Sequence, residues 1–402
     1  LASTINASTT LGLVNSADTS GVLQLQTANT TALTVDASQN VSFVNSANLP
    51  NTFGFKNRII NGDMRIDQRN AGASVTPATQ QYTLDRWVAN ASQASKFSVQ
   101  QNAGSVTPPV GFTNYLGVTS LSAYSITAGD FFSMYYQIEG LNVADLAWGT
   151  ANAKTVTLSF QVYSSLTGTF GGVFQNSASN RSYPFTYSIP TANTWTTISI
   201  TVVGDTGGTW LTTNGVGISI KFNLGTGSTY SGTAGAWANT NYQSATGATS
   251  VVGTNGATWY ITGVQLEKGS TATSFDVRPY GTEFFLCQRY FQTLVVSTGT
   301  AGFISGFVAD SASTGFGVAF LPVPMRTAPA LSITLAGGTT KYRVNAGTVN
   351  DNSDVNPVIS GSTPTSFRLN FNSGFSALVA NASGWVNNRD STTGYFGATA
   401  EL

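Results

Sequence analysis

The chain has 402 residues, 41% hydrophobic and 8% charged, with 17 basic and 17 acidic side chains, 42 glycines, one cysteine and no histidine. A formal charge of zero removes the electrostatic drive toward nucleic-acid phosphate or an anionic membrane, so neither nucleic acid nor membrane insertion is expected of it. Without histidine there is no Ser-His-Asp triad and no His-containing zinc site, and Cys287 alone makes neither an intramolecular disulfide nor a thiolate centre, so no cofactor and no catalytic residue are expected.

The length accommodates two or three domains with real cores. No long apolar run spans a membrane, and the opening LASTINAST has neither the basic start nor the apolar core of a signal peptide. Residue 1 is Leu, which reads as a processed chain or part of a longer one. Apolar residues alternate with small polar ones between Gly and Asn turns along most of the chain, which predicts an all-β protein.

Taken in order, residues 1–54 carry short strands at 22–26, 33–35 and 41–44. Leu23, Leu25, Leu33, Val35 and Phe43 fall on one side, a narrow apolar face that one copy does not bury and several copies wound together do. Residues 55–280 carry longer strands, TVTLSFQVY at 155–163, TWTTISITVV at 194–203, VGISIKFNL at 216–224 and ATWYITGVQLE at 257–267, and read as one large antiparallel sandwich. Residues 281–292, within PYGTEFFLCQRYFQ, form a short helical joint. Residues 293–402 give a second, smaller β-sandwich, with strands at 315–325, 330–335, 366–371 and 376–381.

With those segments placed, NRIINGDMRIDQRNAG at 57–72, YTLDRWVA at 82–89, GVQLEKGSTATSFDVRPYGTEFFLCQRYFQ at 263–292 and VLQLQTANTTALTVDASQNV at 22–41 resemble motifs of phage tail-fibre proteins. The resemblance implies an N-terminal fibrous shaft segment, a carbohydrate-binding-module-type jelly roll at 55–280 and a C-terminal tip domain. It implies a homotrimer on the phage tail, outside the cell, anchored through its N-terminus to a tail or baseplate protein and contacting a host surface glycan or receptor. The expected role is structural and receptor-binding, not enzymatic. The alternatives are a tail-spike polysaccharide depolymerase and a head fibre or decoration protein.

The sharpest charge pattern is Asp63, Arg65, Asp67 and Arg69, which at spacing two share one face of a strand, with Met64 and Ile66 on the other. Four strand residues at about 3.3 Å each put the two aspartates roughly 13 Å apart, beyond the roughly 6.5–9.5 Å of an inverting glycosidase. The arginines between and beside them also pull both carboxyls down, which is wrong for a general acid. A structural ion-pair ladder is the expectation. A second cluster, Glu267, Lys268, Asp276, Arg278, Glu283 and Arg289, ends the same domain; because domain termini lie close together, the two clusters are expected to pair within the chain or across subunits, with Glu267 and Arg278 as ion-pair members.

Tyr230, Trp237 and Tyr242 punctuate a low-complexity run at 225–256, and aromatics on loops are platforms for sugar rings; the ordinary alternative is that Trp237 folds back to cap the sandwich. At the tip, Tyr342, Trp385, Arg389, Asp390 and Tyr395 are the expected receptor contacts, weighed against core or interface packing beside Phe367, Leu369 and Phe371. GTGSTY at 225–230 lacks the Lys of a phosphate loop, and Asp351, Asn352, Asp354 and Asn356 miss the spacing of a calcium loop, so both read as plain loops. The N-x-S/T triplets at Asn29, Asn180 and Asn381 are expected by chance in so Asn-, Ser- and Thr-rich a chain.

Overall fold

The computed structural model describes residues 3–8, 12–16, 19–39, 41–43, 55–296, 302–333, 342–346, 349–388 and 395–402. The chain is all-β, with one α-helix among the described residues, and divides into two compact units, Leu1–Phe53 and Gly54–Leu402.

The first unit is a five-stranded sheet ordered Gly12–Ser16, Ser3–Ser8, Leu23–Thr27, Thr30–Val35, Val41–Phe43. Its register sets Leu23 opposite Val35 and Leu25 opposite Leu33, so these side chains share a face. On the other face the Gln26 amide donates to Gln24 Oε1 at 3.3 Å and to Thr31 Oγ1 at 3.2 Å. Leu23 and Leu25 stay 39% and 38% exposed on that face, since a single sheet of short strands has no second layer of its own to bury them.

In the second unit two antiparallel sheets face each other. One has six strands, ordered Ser182–Ile189, Gly168–Gln175, Val216–Thr226, Phe131–Glu139, Trp87–Ala91, Gln80–Leu84; the other has five, ordered Thr196–Val202, Val156–Ser164, Thr258–Lys268, Leu116–Ser120, Phe97–Gln101. Period-two alternation sends Ile218, Ile220, Phe222 and Leu224 into the core against Trp87, Met134, Tyr136, Phe160 and Trp259. Buried indole donors are matched: Trp259 Nε1 donates to Tyr187 Oη at 2.9 Å and Trp87 Nε1 to the Asn61 carbonyl at 3.0 Å. At Gly172 a Cβ would stand 2.3 Å from the Phe185 ring and 2.5 Å from the Lys221 carbonyl, so only glycine lets that ring lie across its strand.

The helix Tyr280–Gln288 leaves the sandwich with Glu283 and Cys287, one turn apart, turned inward and Tyr280 and Phe285 outward. Beyond it a seven-stranded sheet, ordered Val349–Ser353, Tyr342–Ala346, Ser383–Asn388, Gly302–Ala309, Gly315–Phe320, Ser366–Phe371, Val358–Thr363, accompanies a three-stranded one, Phe291–Val296, Tyr395–Thr399, Ala330–Ile333. Phe307, Tyr342, Phe367, Leu369, Phe371 and Phe396 fill the core between them.

Two local expectations fail. Residues 376–381 are bends and turn, not a strand: the Ser376 and Ala377 amides donate to Asp351 Oδ2 at 2.7 and 2.6 Å, and a side-chain acceptor that takes backbone donors leaves none for a ladder. Residues 61–72 are a succession of turns, with Asn61 and Met64 at φ of 57° and 59°. The alternation of charge and apolar residues there is real, since Met64 and Ile66 are buried, but the buried amide of Asn61 holds the segment by donating to the Ile66 and Asp85 carbonyls at 2.8 and 3.0 Å.

Candidate functional site

The charged residues singled out in the sequence build a joint. Asp63 pairs with Arg65, whose Nη2 donates to the Arg278 carbonyl at 3.0 Å, and Arg278 pairs with Glu283 at 3.1 Å while also donating to the Asn57 carbonyl. Arg69 reaches Glu401 at 3.2 Å, and the same carboxylate is shared by the fully buried Arg86. Arg289 pairs with Glu139 at 2.7 Å, and Tyr290 Oη donates to the same carboxylate at 2.7 Å. Asp67 and Glu267 are corrections to the expected ladder. Asp67 accepts from the Asn70 and Gly72 amides at 3.0 and 2.8 Å, and Glu267 from the Thr273 amide and hydroxyl at 2.8 and 2.7 Å; each carboxylate caps its own turn instead of meeting an arginine. Burial raises Asp67 above the usual carboxylate range.

The loop aromatics part company. Trp237 packs edge-on against Trp148 and Trp210 with ring centroids 5.3 and 5.4 Å away, and its Nε1 donates to the Val203 carbonyl at 2.9 Å, so it closes one end of the sandwich core. Tyr230 meets Phe131 edge to face at 5.5 Å, and Tyr242 lies flat over Gly232. At the tip, Tyr342 is fully buried with its hydroxyl donating to Asn356 Oδ1 at 3.0 Å, because Tyr342, Val344 and Ala346 take the inward positions of their strand; this corrects its expected place at the receptor. Trp385 is 53% exposed on the outer face of the seven-stranded sheet. Arg389 and Asp390 lie outside the described residues, as does the side chain of Tyr395, whose backbone forms the strand Tyr395–Thr399.

A different assembly emerges on the outer face of the six-stranded sheet. Register across five neighbouring pairs of strands aligns Tyr82, Val88, Tyr135, Lys221, Val173 and Pro184 in one row. On one side runs Gln80, Asn90, Ser133, Asn223; on the other run Gln137, Ser219, Gln175, Ser182. Tyrosines and a lysine between two rows of amides and hydroxyls are the chemistry that holds a sugar: apolar ring faces, with convergent donors and acceptors beside them.

Segments on both flanks frame this face. Residues 238–249 cover one side, where Gln175 Nε2 donates to the Tyr242 carbonyl at 2.6 Å, Ser182 Oγ to the Thr240 carbonyl at 2.7 Å and the Thr249 amide to the Thr169 carbonyl at 2.7 Å. On the other side Tyr82 Oη donates to the Leu402 carbonyl at 3.0 Å, and Arg69 sits 5.0 Å from the Tyr82 ring centre. Gln80 is exposed, Tyr82, Asn90, Phe131, Gln137 and Tyr230 are half-buried, and Tyr135 and Lys221 keep 5% and 8% of their surface open. Val88, Val173, Pro184, Ser133, Asn223, Ser219, Gln175 and Ser182 are buried, so the open part of the face lies toward Gln80, Tyr82 and Asn90. Gln80 Nε2 donates to Tyr135 Oη at 2.6 Å, and burial pushes that phenol up to about 12. Lys221 Nζ donates to Gln243 Oε1 at 2.7 Å and lies 5.7 Å from the Tyr135 ring centre; burial pushes its ammonium down to about 8. Three buried atoms here, Ser133 Oγ, Gln137 Oε1 and Gln175 Oε1, find no partner within the protein.

Among the described residues no group of three His, Cys, Asp or Glu side chains is placed to hold a metal, and no helix is long and apolar enough to cross a membrane.

No protein-family model and no curated protein sequence matches the chain. Among solved structures it is similar to the enzymatically active domain of tailspike protein 4 of bacteriophage CBA120, at 12% identity and a TM-score of 0.28, over 53% of this chain and 22% of that one. A family 11 carbohydrate-binding module of the cellulosomal cellulase Lic26A-Cel5E of Clostridium thermocellum is matched at 13% identity and a TM-score of 0.25, over 50% of this chain and 99% of the module. An arabinose-bound α-L-arabinofuranosidase, MgGH51, is matched at 14% identity and a TM-score of 0.27, over 60% and 34%. At such scores none of the three bears on what this chain binds.

Proposed function

We propose that this chain is a glycan-binding attachment protein of a phage tail fibre, and that the outer face of its six-stranded sheet is the sugar site. The observation that carries the reading is the register-built row of Tyr82, Tyr135 and Lys221 between rows of Asn, Gln and Ser, with buried polar atoms left without a protein partner. The resemblance of the 57–72 and 263–292 motifs to tail-fibre proteins supports the location on a virion. Exposed apolar side chains on the first unit, Leu23, Leu25 and Val41, support a homotrimer in which copies cover one another's faces, giving three weak sites that act together.

The test is adsorption. Purified chain blocks attachment of the phage that carries it, and Tyr135→Ala or Tyr230→Ala weakens the block by about tenfold, the loss of one well-placed aromatic contact. Wild-type competition with no change in either variant would refute the site, and no competition at all would refute the attachment role. In this reading the chain binds without turnover, so incubation with host glycan releases no reducing ends.

A further inference from the structure

Three basic residues are buried among the described ones, and they are not treated alike. Arg86 has the carboxylate of Glu401 and Arg278 that of Glu283, whereas Lys221 has one neutral acceptor, Gln243 Oε1. An ammonium carries three donors, and a charge taken out of water is ordinarily matched by an opposite one. Every neighbour of Lys221 on its face is neutral: Tyr135 and Val173 across the strands, Ser219 and Asn223 along its own. No carboxylate contributes to its displaced titration, for which burial is the sole cause. On the strands beside this unmatched cation lie Ser133 Oγ, Gln137 Oε1 and Gln175 Oε1, all buried and without a partner in the protein, so the polar surroundings of the ammonium are neutral and incompletely satisfied.

We propose that the glycan held on this face is acidic and that its anionic group, a carboxylate or a phosphate, pairs with Lys221. The inference rests on the sugar-site reading above and adds the ligand class to it. A matching charge brought by the ligand makes the strong, charge-assisted hydrogen bond that the protein itself withholds, and a neutral sugar leaves the ammonium as it was. The arrangement therefore selects against uncharged glycans as well as for charged ones.

The experiment uses the whole chain on an array that pairs uronate- and sialate-containing oligosaccharides with their carboxyl-reduced forms, and phosphorylated ones with their dephosphorylated forms. The expected result is that the bound members are acidic, that removing the anion costs about tenfold or more in affinity, and that Lys221→Gln erases the difference between the two members of a pair. Whichever series binds tells carboxylate from phosphate. Neutral members bound as well as their acidic partners, or a preference that survives in Lys221→Gln with a thermal melt no lower than wild type, overturns the acidic ligand while leaving the sugar site standing. Failure of every glycan to bind refutes the sugar site itself.

Discussion

Replacing Lys221 by methionine keeps the length of the side chain and removes its charge. Burial holds the ammonium down from 10.5 to about 8, and at about 1.4 kcal/mol per tenfold change in the protonation equilibrium the folded state gives up about 3 kcal/mol near neutral pH to keep it charged. Against this, the variant loses the 2.7 Å bond to Gln243, worth about 1 kcal/mol. Lys221→Met is therefore more stable than wild type by about 2 kcal/mol at pH 7, the reverse of the usual effect of a buried substitution. The sign follows from proton counts: between about pH 8 and 10.5 the unfolded chain holds a proton that the folded chain has released, so wild-type stability from this group rises with pH across that window. In the variant that rise is missing, and the gap between the two proteins closes as pH climbs. Urea unfolding of both at pH 7, 8, 9 and 10 measures it. A variant less stable than wild type at pH 7, or a gap that does not narrow, would refute the claim that Lys221 is an uncompensated buried cation.

Burial also lifts the Asp85 carboxyl to about 6, against the pull of Arg69 and of hydrogen bonds from Gln68, so its contribution to stability declines as pH rises from about 4 to 6; thermal melts show that decline flattened in Asp85→Asn. Arg86→Ala strips one of two arginines from the buried Glu401 and costs about 3–5 kcal/mol, read by denaturant unfolding, whereas removing both charges in Arg86→Met with Glu401→Gln costs less than the single change. Gly172→Ala drives a methyl into the Phe185 ring and the Lys221 carbonyl and costs about 3 kcal/mol or more, with the melting temperature as the measure.

Strands were legible wherever one face is buried. VGISIKFNL and SFRLNF alternate because every second residue enters a core, and the structure makes Val216–Thr226 and Ser366–Phe371 of them. The alternation of Asp63, Arg65, Asp67 and Arg69 misled because it comes from a turn segment whose apolar members are buried just as a strand's would be; nothing in period two tells the two apart. The motifs that carry the family resemblance, 57–72 and 263–292, turn out to encode the joint, with Asn57, Asn61, Arg278 and Glu283 bonding backbone or one another. The candidate face lay hidden for a simpler reason. Its residues come from six strands spread between Gln80 and Asn223, each pair of neighbours on a strand separated by a core residue, and only register aligns them. One signal was present: Lys221 between Ile220 and Phe222 is a lone charge in an otherwise uncharged strand.

The shared carboxylate of Glu401 has a mechanical meaning. The strand Tyr395–Thr399 is the middle one of its three-stranded sheet, and the chain passes from it directly to Glu401, which Arg69 and Arg86 of the sandwich hold. Arg326, on the outer side, adds a third tether by donating to the Asn214 carbonyl of the sandwich at 2.6 Å while also holding the Ala400 and Glu401 carbonyls at 2.9 and 2.8 Å. Covalent continuity through Tyr290 is thus doubled by a return path, and a pull on the outer sheet is divided between the two. Any load on the outer sheet is therefore carried by these attachments in parallel with the backbone link, so that the two β-layers resist hinging on the short helix between them.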